Sequence, residues 1–148
     1  MRALVALSLL ALAGCQAGAH RPIAAAGTIA PFEAIQAAAA AAPGRVPGVF
    51  EMRVVASGRQ SGNIYLNSEK DYRDQRNLTI AIHPSAFAAL HSRFGGDPDD
   101  ALAGRVIRVK GAARRAQILF LENGRPTGKY YYQTHVDVIR GDQIEIAG

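Results

Sequence analysis

Leu102-Ala103-Gly104-Arg105-Val106-Ile107-Arg108-Val109-Lys110-Gly111 turns from helix to strand within a few residues. Gly104 closes a short capped helical turn opened by Asp97-Pro98-Asp99-Asp100. From Arg105 onward, basic and apolar residues alternate with the two-residue period of a strand. Val106 and Arg108 fall opposite Ile107 and Val109, and the pattern alone leaves the register open.

Toward the N-terminus, Ser85 offers a side-chain cap for a helix carrying Phe87, Leu90, His91 and Phe94 at helical spacing, ended by Gly95-Gly96. Before it, Leu78-Thr79-Ile80-Ala81-Ile82 and Asn63-Ile64-Tyr65-Leu66-Asn67 read as strands. The polar run Ser68 to Asn77 has no apolar pattern and reads as a loop between them. Val49 to Gly58 alternates as a further strand with Phe50, Met52 and Val54 on one face. Upstream, Pro31, Phe32, Ile35 and the alanines through Ala42, followed by Pro43-Gly44, predict a helix with Phe32 and Ile35 as its small apolar face.

Toward the C-terminus, Ala116 to Glu122 and Lys129 to Val138 form a hairpin about Asn123-Gly124-Arg125-Pro126-Thr127-Gly128. Asn-Gly between two strands is a strong local turn signal. Gly141-Asp142 turns the chain again before Gln143-Ile144-Glu145-Ile146.

Three strands, a helix and two or more strands within about 100 residues is the order of a small five-stranded Greek-key barrel with its helix between strands 3 and 4. Residues 102–111, with Val136-Asp137-Val138 and Gln143-Ile144, resemble the "L-x-G-K-x-I-x-V-x-G" strand and closing strand of bacterial OB-fold domains, with Arg105 in place of the usual Lys. The resemblance runs from about Val49 to Ile146. It implies a mainly β, OB-like barrel preceded by the Ala-rich helix; a small β-sandwich is the alternative.

The first residues carry a different message. Arg2 precedes the short apolar stretch Ala3 to Leu12, the pattern of an export signal and too short to span a bilayer, which needs about 20 apolar residues. Leu12-Ala13-Gly14-Cys15 follows, and it resembles the lipobox of bacterial lipoproteins. That resemblance implies cleavage before Cys15, a diacylglycerol carried on its thiol with palmitate-type acyl chains, and, from Gln16 rather than Asp after it, retention at the outer membrane facing the periplasm. Cys15 is the chain's only cysteine, so no internal disulfide can form and lipidation would consume the one thiol. Several acyl chains hold a protein on a membrane without a transmembrane helix. The expected organisation is a lipoprotein signal peptide at 1–14, a flexible tether at 15–28 and one OB-like domain at 29–148.

Loss of 1–14 removes Arg2 alone among charged residues, leaving 16 basic against 12 acidic residues, a net charge of +4. A mildly basic surface favours anionic partners without dictating one. Catalytic motifs are missing: there is no Gly-x-Ser-x-Gly, phosphate-binding loop or dinucleotide fingerprint. OB-folds include the thermonuclease family, and by that resemblance Asp71, Arg73, Asp74 and Arg76 suggest a divergent metal-dependent nuclease, but the family's Asp-Thr-Pro-Glu-type strand and its separate downstream Arg motif are absent. Their alternative role is to pair with one another and order the loop. His20, His83, His91 and His135 lack metal-ligand spacing, and no cofactor or metal is expected.

The candidate binding residues are Tyr130 and Tyr132, which share a strand face, with Arg108, Arg114 and Lys129 beside them and Arg73 and Arg76 on the charged loop. Arg115 and Gln133 adjoin them. Such rings beside cations stack the bases of single strands in OB-folds. The expected function is a non-catalytic envelope module binding another envelope protein or a glycan, with single-stranded nucleic acid or another anionic polymer as the alternative ligand.

Overall fold

A computed structural model of the chain describes residues 27–148. The expected signal peptide, Cys15, His20 and the tether up to residue 26 lie outside the described residues.

The described chain is mainly β, a seven-stranded sheet with a few helices. Helix α1 (Pro31–Ala41) is followed by strands β1 (Arg45–Arg53), β2 (Ala56–Gln60), β3 (Asn63–Asn67) and β4 (Leu78–Ile82). Helices α2 (Pro84–Phe94) and α3 (Pro98–Leu102) then lead to β5 (Val106–Glu122), β6 (Arg125–Val138), a 3-10 turn (Gly141–Gln143) and β7 (Ile144–Ile146). The hydrogen-bonded path runs β1-β5-β6-β4-β3-β2, with β7 on β5. Every pairing is antiparallel except β4 with β6, which is parallel. Among the described residues no helix is long and apolar enough to cross a membrane.

The strand count differs from the expected five for local reasons. The single strand expected at 49–58 breaks at Val54-Val55. Val54 is buried and exchanges backbone hydrogen bonds with Gly104 and Arg105, while the Val55 amide turns to the Asn67 carbonyl. The bend moves the chain from β5 to β3, so β1 and β2 occupy the two ends of the path. Conversely, the strands expected at 105–111 and 116–122 are one 17-residue strand, β5. Gly111, inside it, lets β6 approach closely, since a Cβ there would stand 2.6 Å from Val136 Cγ1. The hairpin turn is also tighter than expected: Asn123 (φ 51°) and Gly124 (φ 75°) are both left-handed, and β6 starts at Arg125. A register shift between Leu119 and Leu121 takes up the remaining turn residues.

The core takes alternate residues from β1, β3, β5 and β6, namely Phe50 and Met52, Ile64 and Leu66, Ile107 and Val109, and Val136 and Val138, with all of β4 buried. Burial of Ile107 and Val109 settles the register that the alternation at 105–111 leaves open. Helix α1 does not bury Phe32, which is 55% exposed, and only half-buries Ile35; its fully buried face is Ala34 and Ala38, one turn apart. Alanines let the helix lie close on β1 and β5, and a phenylalanine ring would hold it off. Pro84 takes the first helical position of α2, so Ser85 is not its cap; its hydroxyl donates instead to the Ile139 carbonyl at 2.9 Å. Helix α2 buries Ala86 and Leu90 and is fastened at its far end, where the Arg93 guanidinium donates to the carbonyls of Gly141 and Ile144.

Candidate functional site

Counting in twos back from the buried Val138 and Val136 puts Thr134, Tyr132 and Tyr130 on the core face of β6 and Asp137, His135, Gln133 and Tyr131 on its outer face. The outer face forms a groove of about 640 Å³ with β2, β3, the base of the β5–β6 hairpin and the 68–77 loop. Three tyrosines line it: Tyr65 from β3, Tyr72 from the loop and Tyr131 from β6. Asn67, Thr79, Gln133, His135, Lys70 and Arg59 supply its polar lining. Gly58, the register partner of Tyr65, widens it, because a Cβ there would meet nothing within 4 Å.

Hydrogen bonds fix the rings. The Gln133 amide donates to the Tyr131 hydroxyl at 2.9 Å and to the Tyr72 carbonyl at 3.2 Å, while its oxygen pairs with His135 Nε2 at 2.7 Å. With Gln133 so oriented, Nε2 carries the histidine proton. Burial, reinforced by the Arg114 charge, pushes the His135 pKa down to about 4, so the ring is neutral near pH 7. Burial also raises the Tyr131 pKa. Beneath the loop, buried Asn77 donates to Asn67 Oδ1 at 3.0 Å, Thr79 Oγ1 at 2.9 Å and the Tyr72 carbonyl at 3.3 Å.

Most arginines in and around the groove are already engaged. Arg59 reaches Asp97 at 2.8 Å and Asp99 at 2.6 Å. Arg114 grips Asp137 with two nitrogens, at 2.8 and 3.0 Å, and Arg45 adds a third contact at 3.0 Å. These hydrogen bonds, chiefly from Arg114, hold the Asp137 carboxyl at a pKa of about 2. Among the described residues lining the groove, Lys70 is the one cation outside an ion pair.

The residues expected to bind are therefore not one cluster. Tyr130 and Tyr132 do share a face, with rings 5.5 Å apart edge to face, but that face is not the groove; Tyr132 lies under the Arg115 guanidinium, 3.6 Å from it. Tyr131, between them, faces the groove, and counting from the buried valines is the sequence signal that finds it. Lys129 is exposed on the hairpin. Arg108 shares the outer face of β5 with Arg114 but is six residues, or about 20 Å, away along the strand and bonded to Glu51 at 2.7 Å. Arg73 stacks on Tyr72 at 5.2 Å, and Arg76 pairs with Asp74 at 2.7 Å. Asp71 and Asp74 each accept the backbone N–H two residues on, so both carboxylates shape the loop and do not converge. Among the described residues no three His, Cys, Asp or Glu side chains come together where a cation could be held.

No family model matches the chain, and no curated protein matches it. Among solved structures it is similar to aspartyl tRNA synthetase from Entamoeba histolytica, at 11% identity and a TM-score of 0.41. The alignment covers 74% of this chain and 20% of that one, so the chain spans about a fifth of that protein's length.

Proposed function

We propose that this protein is a membrane-anchored envelope lipoprotein whose OB-like domain is a non-catalytic module that binds an uncharged glycan strand in the outer groove. The anchoring rests on Leu12-Ala13-Gly14-Cys15 after a short apolar run and on Cys15 being the only thiol. The OB-like reading is supported by three features of the sheet: β1 and β2, at opposite ends of the path, are consecutive pieces of one bent strand; β4 and β6 are parallel; and α2 and α3 fall between β4 and β5.

The choice of ligand rests on the pairing of the groove's arginines. A nucleic-acid strand needs unpaired cations along its phosphates and binds with steep salt dependence. Here Arg59 is engaged by two aspartates and Arg114, next to the groove, by a third, leaving a recognition surface of tyrosine rings, amides and hydroxyls with Lys70 as its single unpaired cation, too few for a run of phosphates. Sugar rings present polarised C–H groups on one face and hydroxyls at the rim. Tyrosine faces attract the former, and the exposed side chains of Ser57, Gln60 and Lys70 in the lining can exchange hydrogen bonds with the latter.

The test is a titration of the Cys15→Ser chain with a neutral N-acetylglucosamine oligomer and with an oligothymidylate, each at low and physiological salt. Saccharide binding that ignores salt supports the proposal. Tight, salt-sensitive oligothymidylate binding without saccharide binding would replace it with anionic-polymer capture.

A further inference from the structure

The groove uses only the base of the β5–β6 hairpin. Its outer half, residues 119–130, is exposed throughout. Large apolar side chains stand there in water: Leu119 is 48% exposed, Phe120 42%, Leu121 61%, Tyr130 51% and Tyr132, just inside, 36%. They lie on both faces of the ribbon. Leu119 is the register partner of Tyr130, on the face shared with Tyr132, while Phe120 packs against Tyr131 on the other face with ring centroids 5.2 Å apart. Monomeric proteins rarely leave such residues together in solvent unless something covers them.

The charges indicate what covers them. From Arg115 to Tyr132 the ionisable acid and base side chains are Arg115, Arg125 and Lys129 against Glu122 alone, a net of +2. A partner protein would cover one face of the ribbon. A lipid headgroup layer surrounds an inserted tip on both faces, accommodates tyrosines at its boundary and attracts cations to anionic headgroups. We infer that the tip of the β5–β6 hairpin, Leu119 to Tyr130, docks into an anionic lipid surface, with Leu119, Phe120 and Leu121 among the acyl chains and Arg125 and Lys129 on the headgroup phosphates. Docking there holds the groove at the membrane in a defined orientation, which a lipid tether alone would not do.

The test uses the full chain with Cys15→Ser and Leu121→Cys, so that the hairpin tip carries the sole thiol and a polarity-sensitive fluorophore on it reports the tip and not the N-terminal segment. Vesicles of phosphatidylcholine, with and without 30% phosphatidylglycerol, are titrated in. The expected result is a blue shift on phosphatidylglycerol vesicles that salt reverses and neutral vesicles do not produce. Arg125→Gln with Lys129→Gln should raise the half-saturating lipid concentration by about 25-fold, while the melting temperature stays at that of the parent. The inference is overturned if the anionic vesicles give no shift, if neutral vesicles give an equal one, or if the double variant binds as the parent does. It is equally overturned if the shift appears without lipid and grows with protein concentration, which would assign the hairpin to a second copy of the chain.

Discussion

Tyr131 and Tyr132 are neighbours on β6 that serve opposite surfaces: Tyr131 lines the outer groove with its hydroxyl held by Gln133, whereas Tyr132 is covered by Arg115 at 3.6 Å on the other face. The two substitutions Tyr131→Ala and Tyr132→Ala therefore separate the groove from the hairpin's other face. Tyr131→Ala should weaken saccharide binding about tenfold, the worth of one stacked ring and its hydrogen bond. Tyr132→Ala should leave it within about twofold by the same reasoning, since its ring is on the other face against Tyr130 and Arg115 and is not part of the groove lining. Calorimetric titration of both variants checks this, and equal losses would mean that the ligand does not lie where the groove is.

How much of this was legible beforehand depends on sequence separation. The alternation at 105–111, the Asn123-Gly124 turn and the helix at 84–94 are local, and each is present with small shifts at its ends. The break at Val54-Val55 was not legible, because the partners that bend the chain, Gly104, Arg105 and Asn67, come from distant segments. The same holds for the electrostatics of the site. Arg59 meets Asp97 and Asp99 some 40 residues on, and Arg114 meets Asp137 across a hairpin. Counting charges suggests an anion-binding strand, and only the pairings show Arg59, Arg108 and Arg114 to be engaged by carboxylates.

His135 makes stability depend on pH with a definite sign. Burial, then Arg114, lowers its pKa from 6.5 to about 4 in the folded chain. An unfolded histidine takes up a proton below about pH 6.5 that the folded one refuses until about pH 4, so its contribution is whole above that window and lost on acidification through it. The loss should reach about 3 kcal/mol between pH 7.5 and pH 4. Urea midpoints across this range should fall steeply for the parent and much less for His135→Gln; parallel slopes would show that another group titrates.

Asn77 should couple loop order to the groove. Its amide reaches Asn67, Thr79 and the Tyr72 carbonyl, and its oxygen accepts the Glu69 N–H at 3.1 Å. Asn77→Ala removes these four bonds, while Thr79 still donates to Asn67 and Gln133 to the Tyr72 carbonyl, and should cost about 2 kcal/mol. It should also reduce saccharide affinity, because Tyr72 loses a tether. Chemical denaturation and the same titration read the two effects; a stable variant with undiminished affinity would show the loop to be irrelevant to binding.

Gly141 tests the packing behind the site. A Cβ at this position would stand 2.6 Å from Ala89 Cβ on α2. Gly141→Ala must push the helix from the 3-10 turn, with an expected cost of about 1–3 kcal/mol in the urea-derived stability and little change in groove affinity measured below the unfolding transition. An unchanged stability would mean that α2 is not seated against this turn.

The central claim, an uncharged glycan strand held against tyrosines by a groove whose arginines are already paired, is tested most directly by the salt dependence of binding. The affinity of the Cys15→Ser chain for the neutral N-acetylglucosamine oligomer would be measured between 50 and 200 mM salt, where contacts to six or more phosphates would cost about a thousandfold or more. The account predicts an affinity that changes less than about twofold over that range, as expected when no counterions are released. No saccharide binding, together with oligothymidylate binding that collapses over the same range, would contradict it.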